Sequence, residues 1–188
     1  MRFLDDGDTH ENRRDAESAE AAQRVELIMA GLGGRAVGIE SNKVIDNTDS
    51  ATTKWDIGFR GTTIITNGGN SGPGTGAAFV YVGTYSDLAT IPTDSTFRAD
   101  NAPTSYAIKT GSGNGWYSYN GATQLITPIP GRILVIRTAT GKYAKIEIQN
   151  YYKGGVTPDA TASDNDKLMK QRYYTFRYTF QSDGSKKF

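Results

Sequence analysis

The residue types that most often carry out chemistry in proteins are scarce in this chain. It has no cysteine and a single histidine, His10, among 188 residues. These two counts exclude a zinc site built from cysteine and histidine, thiol chemistry, a disulfide framework and a histidine-dependent catalytic triad in the folded body. We therefore do not expect an enzyme.

Acidic residues form no recognisable metal-binding motif. His10 is followed by Glu11, but no second histidine stands four residues away, as the helix of a metalloprotease requires. Asp159, Asp164 and Asp166 lack the spacing of a calcium-binding loop. We expect the first group to be a solvated acidic terminus and the second to lie in a mobile polar loop.

A glycine-rich stretch and a few isolated carboxylates also fall short of catalytic motifs. Residues 67–76 lack the Lys-Ser/Thr pair of a phosphate-binding loop and precede a strand pattern, so we expect a flexible connector between two strands. The predicted strands carry few acids, chiefly Asp56 and Glu147. We expect Asp56 to bond the backbone or Arg60 and not to act as an acid or base.

The most distinctive candidates for binding are aromatic. The chain has 11 tyrosines, and eight of them lie from Tyr117 onward. Basic residues interleave with them, since residues from 141 onward hold nine Lys and Arg against five Asp and Glu. Flat rings with a polar handle suit a planar apolar ligand with carboxylate tails, and single-stranded nucleic acid requires the same two features. Composition alone does not separate these two ligand classes.

The N-terminal region differs from the rest of the chain in charge and pattern. Residues 1–26 hold eight acids and four bases, whereas the whole chain has a net charge of +1. Apolar residues recur at helical spacing and predict one amphipathic helix over residues 13–32. They are Ala21, Val25, Ile28, Met29 and Leu32. This stripe either packs on the body or mediates a homo-oligomer, and we divide the chain into an acidic helical leader (1–42) and a β domain (43–188).

The β domain is predicted from short segments rich in β-branched and aromatic residues, separated by Gly, Pro, Asn and Asp. These segments are residues 55–66, 77–83, 104–109, 115–119, 132–138, 142–149 and 173–181. They are typical of an all-β antiparallel sandwich or barrel. Thr140-Gly141 predicts a tight hairpin. In the last segment, one side is entirely aromatic and must face a core. Its members are Tyr174, Phe176, Tyr178 and Phe180.

Four ordered sequence blocks carry a family resemblance. They are KWDIGFRGTTIITNGG at 54–69, WYSYN with ITPIPGR within 116–132, GKYAKIEI with YYKG within 141–154, and YYTFRY at 173–178. Over residues 43–181 the chain resembles the HmuY family, the haem-binding outer-membrane lipoproteins of Bacteroidetes. Residues 1–42 do not match.

The resemblance implies an all-β, hand-like fold at the cell surface. Such proteins capture haem from host haemoproteins and deliver it to an outer-membrane receptor, here expected to be TonB-dependent. Two histidines ligate the iron in the founding member, and methionine does so in some relatives. This chain departs from that pattern, because after residue 29 it has no histidine and one methionine, Met169.

The resemblance also places candidate haem-pocket residues. The first ligand position falls close to Gln124 and the second between Tyr151 and Val156. Glutamine is a poor iron ligand, whereas a tyrosine can supply a phenolate to ferric haem. The pocket candidates are Trp116, Tyr117, Tyr119, Gln124, Tyr151, Tyr152, Val156 and Met169. The candidate iron ligands are Tyr151, Tyr152 and Met169, although both tyrosines could instead line only the core or the pocket rim.

Together these features predict a secreted or outer-membrane-anchored protein that binds haem or another porphyrin, is haemophore-like and lacks the usual histidine pair. The alternative is a HmuY-like surface carrier or interaction module that does not ligate haem iron. No stretch of about 18 apolar residues predicts a transmembrane segment. No signal-peptide hydrophobic region or lipobox cysteine occurs, so either processing removes them or the chain begins elsewhere. The resemblance implies that the mature form is extracellular or at the outer-membrane surface. Nucleic acid is not an expected partner.

Overall fold

The computed structural model describes residues 23–28, as backbone only, and residues 34–188. This part of the chain is built almost entirely of antiparallel strands with one short helix. The strands are β1 (Gln23–Ile28), β2 (Arg35–Gly38), β3 (Lys43–Ile45), β4 (Ile57–Arg60), β5 (Thr63–Thr66), β6 (Ala77–Val82), β7 (Tyr117–Asn120), β8 (Leu125–Pro128), β9 (Arg132–Arg137), β10 (Tyr143–Tyr152) and β11 (Gln171–Gln181), and the helix is α1 (Asp164–Lys170).

The strands form two main sheets and a separate hairpin. One sheet has the order β1-β11-β10-β9-β6, the other has the order β3-β2-β4-β5, and β7 pairs only with β8. Side chains of both sheets share one core, in which the ring of Phe59 lies 4.5 Å from Tyr174 and 5.7 Å from Phe176. The predicted all-β sandwich is confirmed.

The last strand follows the predicted alternation. Tyr174, Phe176 and Tyr178 are buried in the shared core, and Phe180 packs against it. The residues between them face the other side of the five-stranded sheet, where a smaller cluster forms under the loop after β6. Its buried members are Tyr85, Leu88, Ile91, Ile133 and Val135.

Turn residues account for two of the strand connections. Gly141 has a φ of 89° in the tight turn between β9 and β10, as predicted from Thr140-Gly141. The segment predicted over residues 55–66 is two strands, because Gly61, with a φ of 56°, turns the chain between β4 and β5. Glycine adopts this left-handed conformation without the steric cost that a side chain imposes.

The helix predicted over residues 13–32 is wrong over residues 23–28, which form β1. This strand pairs antiparallel with β11, with Val25 opposite Phe176. The free N–H and C=O groups along the edge of β11 offer the chain a hydrogen-bonding partner that helix periodicity does not take into account. The rest of that prediction, residues 13–22 and 29–32, lies outside the described residues. The division at residues 42 and 43 stays a prediction, although β2 already pairs with β4.

Two other segments differ from their predictions. Residues 104–109 form a loop, because the Asp100 carboxylate accepts the N–H of Ala107 at 2.7 Å and Asn101 pairs with Ser105. The predicted polar loop around Asp164 contains α1, whose N-cap Ser163 accepts the N–H of Asp166. Across the described residues, none of the helical structure has the length and apolar character required to span a membrane.

Candidate functional site

The hairpin β7–β8 lies against the end of β10 and the start of α1, and hydrogen bonds hold it there. The backbone N–H of Ile126 donates to the Tyr152 hydroxyl at 2.9 Å. The side-chain amide of Gln124 donates to the Asp164 carboxylate at 3.1 Å. The first of these contacts is partly buried and the second is exposed. The hairpin is therefore docked on the sandwich mainly by side chains and not by extension of a sheet.

Behind the hairpin lies a cluster of buried rings. Trp116 has its ring centroid 4.9 Å from that of Tyr117, 5.7 Å from that of Tyr151 and 5.2 Å from that of Tyr174. The Trp116 indole N–H donates to the carbonyl of Thr62 at 2.9 Å. These contacts tie the start of β7 to the turn between β4 and β5, so the cluster forms a rigid floor beneath the hairpin.

The outer surface of the same region exposes apolar side chains. Tyr119 on β7 is 49% exposed, Val156 is 68% exposed, and Leu168 and Met169 on α1 are 58% and 69% exposed. Tyr119 lies near enough to the Tyr152 hydroxyl to contribute to raising its pKa. Large exposed apolar side chains can mark a binding surface. We call these four side chains the apolar rim.

Burial controls the ionisation of the tyrosines beneath the rim. It raises the pKa of Tyr151 to about 12, and the Arg172 guanidinium beside the ring opposes this rise. Burial also raises the pKa of Tyr152, against the opposing hydrogen bond from the Ile126 N–H. The pKa of Tyr174 is raised well above its ordinary value, again chiefly by burial. These hydroxyls are therefore neutral at physiological pH.

The structure distributes the predicted pocket residues over three positions. Trp116, Tyr117, Tyr151 and Tyr152 belong to one buried cluster. Tyr119 and Gln124 lie on the hairpin, and Gln124 has a positive φ of 55°. Val156 and Met169 are exposed. The hydrogen bonds of Tyr152 and Gln124 link the hairpin to the segment from Tyr151 to α1, which carries the buried tyrosines as well as Val156 and Met169. Their assignment as a haem pocket stays a prediction.

Sequence reasoning found Met169 but missed the helix α1 that carries it. Leu168 and the hydrogen-bonding Asp164 were not among the candidates, because the segment was interpreted as a loop. The sequence does contain the signals of a short helix: an N-cap residue, Ser163, then acids in the first turn and lysines in the last turn. These signals could have revealed α1. Over the part of the chain that the structure describes, no group of three or more His, Cys, Asp or Glu side chains could hold a metal ion.

Comparison with known proteins gives one family and several structures of the same fold. A family model described as HmuY protein matches residues 34–165, more than half of the chain. A protein named as a lipoprotein from Bacteroides fragilis is 15% identical, with 86% of this chain and 91% of that chain covered and a TM-score of 0.56. The apo HmuY analogue of Tannerella forsythia is 14% identical, with 86% and 96% covered and a TM-score of 0.56.

A third structure is named as an HmuY-like heme-binding protein from Bacteroides vulgatus. It is 13% identical, with 84% of this chain and 90% of that chain covered and a TM-score of 0.53. No curated protein sequence matches the chain. At these identities the structural matches establish a shared fold.

Proposed function

Because the chain belongs to the HmuY family, we propose that it is a surface protein that binds haem or another porphyrin between the hairpin β7–β8 and the segment from Tyr152 to α1. One observation carries this proposal. The exposed apolar side chains of the rim lie on the hairpin and on the segment from Tyr152 to α1. The described hydrogen bonds between these two parts are from Ile126 to Tyr152 and from Gln124 to Asp164. The protein is a carrier and not an enzyme.

Ligand entry requires the hairpin to move away from β10. Hydrogen bonds of this kind each contribute only about 1 kcal/mol net. The hairpin also packs Tyr117, Leu125 and Ile126 against the core, so apolar contact with a porphyrin would have to replace whatever part of that packing the movement breaks. Movement of the hairpin would expose the ring of Tyr152 next to Tyr119 and Val156. A porphyrin plane is apolar and flat, and offset stacking on aromatic rings suits it.

Basic side chains flank the proposed site. Lys153 follows Tyr152 directly and is exposed, and Arg172 lies beside Tyr151. A porphyrin with two propionates presents carboxylates at one edge, and charge-assisted hydrogen bonds from such cations would fix its orientation. Lys153 and Arg172 are the proposed propionate partners.

Met169 is the most accessible of the three candidate iron ligands. Its thioether is on an exposed side chain of α1, whereas Tyr151 and Tyr152 are buried and remain protonated at neutral pH. The phenolate form of either tyrosine would require both movement and deprotonation. We therefore propose porphyrin binding dominated by stacking, with ligation of ferrous iron by Met169.

The burial of both tyrosine hydroxyls also favours a second candidate function. A HmuY-like carrier that holds a planar apolar ligand without ligating iron would use the same rim. In either case the family supports a surface location, secreted or anchored in the outer membrane. For the porphyrin-binding function it also supports a role in haem acquisition through host haemoproteins and a TonB-dependent receptor.

Haemin titration tests the site with a matched pair of variants. Haemin is added to the protein while the Soret absorbance and tryptophan fluorescence are followed. Val156→Asp places a charge in the rim, and we expect at least about tenfold weaker binding. Val82→Asp is the control, because Val82 is 70% exposed at the end of β6. Equal affinity in both variants would contradict the proposed location, and no binding to the wild-type protein would contradict the function.

A further inference from the structure

Two adjoining cavities lie beside the loop between β6 and β7. One has a volume of 260 Å³ and is lined by Arg98, Lys109, Asn114 and Arg132 among others. The second has a volume of 410 Å³ and shares Arg98, Lys109 and Asn114 with the first. The shared walls make them one continuous surface depression, which we call the cationic groove.

Positive charge in the cationic groove is not neutralised by the protein. No carboxylate is among the residues described as lining either cavity. Among the described residues, four other cations form ion pairs, but no ion pair joins Arg98, Lys109 or Arg132 to an acid. Like charges that converge on one depression repel each other, and a bound anion would relieve that repulsion.

The backbone fixes the points from which these cations project. Arg98 exchanges two backbone hydrogen bonds with Ala78 at 2.9 and 3.0 Å, and Arg132 lies opposite Val82 in the β6–β9 pair. The carbonyl of Lys109 lies 2.2 Å from the place where a Cβ on Gly115 would be, so only glycine permits this approach. Arg98 and Arg132 therefore project from backbone paired with β6, and Lys109 from a loop that packs closely on Gly115.

The remaining lining is rich in groups that bind sugars. Hydroxyl-bearing side chains surround the larger cavity together with the half-buried ring of Tyr106. They are Thr104, Ser105 and Thr110. Single-stranded nucleic acid requires a series of stacking rings, but Tyr106 is the one aromatic residue described at this cavity and Phe79, in the smaller cavity, is already packed edge-on to Phe97 at 5.0 Å.

From this combination we propose that the cationic groove binds an anionic glycan, a sugar chain that carries sulfate or carboxylate groups. Arg98, Arg132 and Lys109 pair with the anionic groups, and guanidinium groups suit them because they donate two parallel hydrogen bonds. The hydroxyl and amide side chains meet the sugar hydroxyls, and Tyr106 contacts a ring face. This surface goes beyond the porphyrin site and uses none of its residues.

Isothermal titration with defined octasaccharides tests the proposal. The probes are a sulfated octasaccharide from heparin, a carboxylated one from hyaluronan, uncharged maltooctaose, inorganic sulfate and an eight-residue oligothymidine. We expect at least one anionic octasaccharide to bind at low salt, with an affinity that falls as salt rises. We expect maltooctaose, inorganic sulfate and oligothymidine to bind at least about tenfold more weakly.

A triple variant and a charge-matched control locate the binding. We expect the triple variant Arg98→Gln/Lys109→Gln/Arg132→Gln to bind the anionic octasaccharide at least about tenfold more weakly than the wild-type protein does. The control is Lys43→Gln/Lys186→Gln/Lys187→Gln, which removes the same charge from exposed residues elsewhere and is expected to change affinity less than about twofold.

Several results would overturn the glycan site. These are no binding of either anionic octasaccharide, an equal loss in both triple variants, or binding of oligothymidine or inorganic sulfate as tight as that of the octasaccharide. The haemin affinity of the groove variant should equal that of the wild-type protein, whereas Val156→Asp should leave glycan binding intact. Failure of one proposed site is thus distinguishable from failure of the other.

Discussion

At the scale of single residues, the buried carboxylate of Asp56 accepts hydrogen bonds from the backbone. The carboxylate of Asp56 accepts the N–H of Ile39 at 2.7 Å and that of Ala139 at 2.9 Å. Burial raises the pKa of Asp56, and these two hydrogen bonds oppose the rise. The prediction that Asp56 bonds the backbone is confirmed. The side chain joins the end of β2 to the turn between β9 and β10, and its acceptors are occupied by structural bonds.

Because folding favours the protonated form of Tyr151, the free energy of unfolding depends on pH in the alkaline range. Its pKa is raised to about 12 from an ordinary value of 10.0, so the folded chain binds this proton more tightly than the unfolded chain does. The resulting stability is fully present below pH 10 and is lost as pH rises towards 12. We expect Tyr151→Phe to lose less stability than the wild type between pH 9 and 11.5, as urea midpoints would record. The exposed Tyr119→Phe is the control, and parallel pH curves for all three proteins would contradict this expectation.

Met169 is the side chain with the clearest spectroscopic test. We expect Met169→Leu to change the absorbance spectrum of the ferrous haem complex, because the substitution removes the thioether and keeps a similar volume. Asn165→Ala, at an exposed position of the same helix outside the apolar rim, is the control and should leave the spectrum unchanged. An unchanged ferrous spectrum in Met169→Leu would exclude this ligand, and a changed ferric spectrum in Tyr151→Phe or Tyr152→Phe would assign ligation to a tyrosine instead.

The sequence identified most aromatic residues of the candidate site but not their accessibility. Trp116, Tyr117, Tyr151 and Tyr152 were selected from their blocks, and all four are buried in one cluster. Residue type and spacing do not show that the hydroxyl of Tyr152 is used by an N–H of the hairpin, because Ile126 is 26 residues away along the chain. Such long-range pairs depend on the packing of the sheets.

At the scale of elements, the glycine-rich connector between β5 and β6 is closely packed. The sequence predicts a flexible connector here. Instead, a Cβ on Gly76 would lie 2.5 Å from the carbonyl oxygen of Asn67, and one on Gly68 would lie 2.0 Å from that of Gly76. The two ends of the connector therefore approach so closely that side chains are excluded. The side chain of Asn67 also accepts the N–H of Gly74 at 2.9 Å.

A substitution in this connector should be costly. We expect Gly76→Ala to lower the free energy of unfolding by about 2–4 kcal/mol, because backbone would have to shift to admit the methyl group. Gly121→Ala is the control, since the nearest atom to its added Cβ is 4.0 Å away. Urea unfolding would measure the free energy of unfolding of both variants. Equal values would contradict the close packing of the connector, because they would show that its backbone shifts at little cost.

The hairpin β7–β8 should open more easily when its buried polar contact is removed. Tyr152→Phe leaves the N–H of Ile126 without its acceptor, which costs about 1–3 kcal/mol for a group that stays buried. We expect faster hydrogen exchange in residues 117–128, with little change in β9. Tyr81→Phe serves as the control, and unchanged exchange in the hairpin would contradict the proposed opening.

Most strands could be predicted from the sequence, but several other elements could not. The alternation of β11 and the turn at Gly141 are local patterns, and the structure confirms both. Residues 104–109 have strand composition, yet they form a loop, in which Ala107 donates its N–H to the carboxylate of Asp100, seven residues earlier. In the same way β1 depends on the free edge of β11. Hydrogen-bond partners outside such a segment decide whether it forms a helix, a strand or a loop, and their effect is stronger than local propensity.

At the scale of the whole molecule, the sandwich supplies rigidity and its attachments supply the proposed binding surfaces. Aromatic side chains of both sheets fill the shared core. On the outer face, buried Lys145 donates to the carbonyls of Tyr85 and Leu88 at 3.1 and 2.9 Å and so fixes the loop after β6. The hairpin, α1 and the segment between β10 and α1 carry the apolar rim, and the loop before β7 forms the cationic groove together with Arg132 of β9. Two ligands of different chemistry would thus bind one scaffold at separate places.

The most direct test of porphyrin binding without the usual histidine pair compares haemin with iron-free protoporphyrin IX. Dissociation constants for the wild-type protein are measured by tryptophan quenching under oxidising conditions. Because stacking and apolar contact dominate the proposed site, we expect both ligands to bind at micromolar concentration or below, with affinities within about fivefold of each other. Failure of both ligands to bind, or haemin affinity more than about a hundredfold higher, would contradict the proposal.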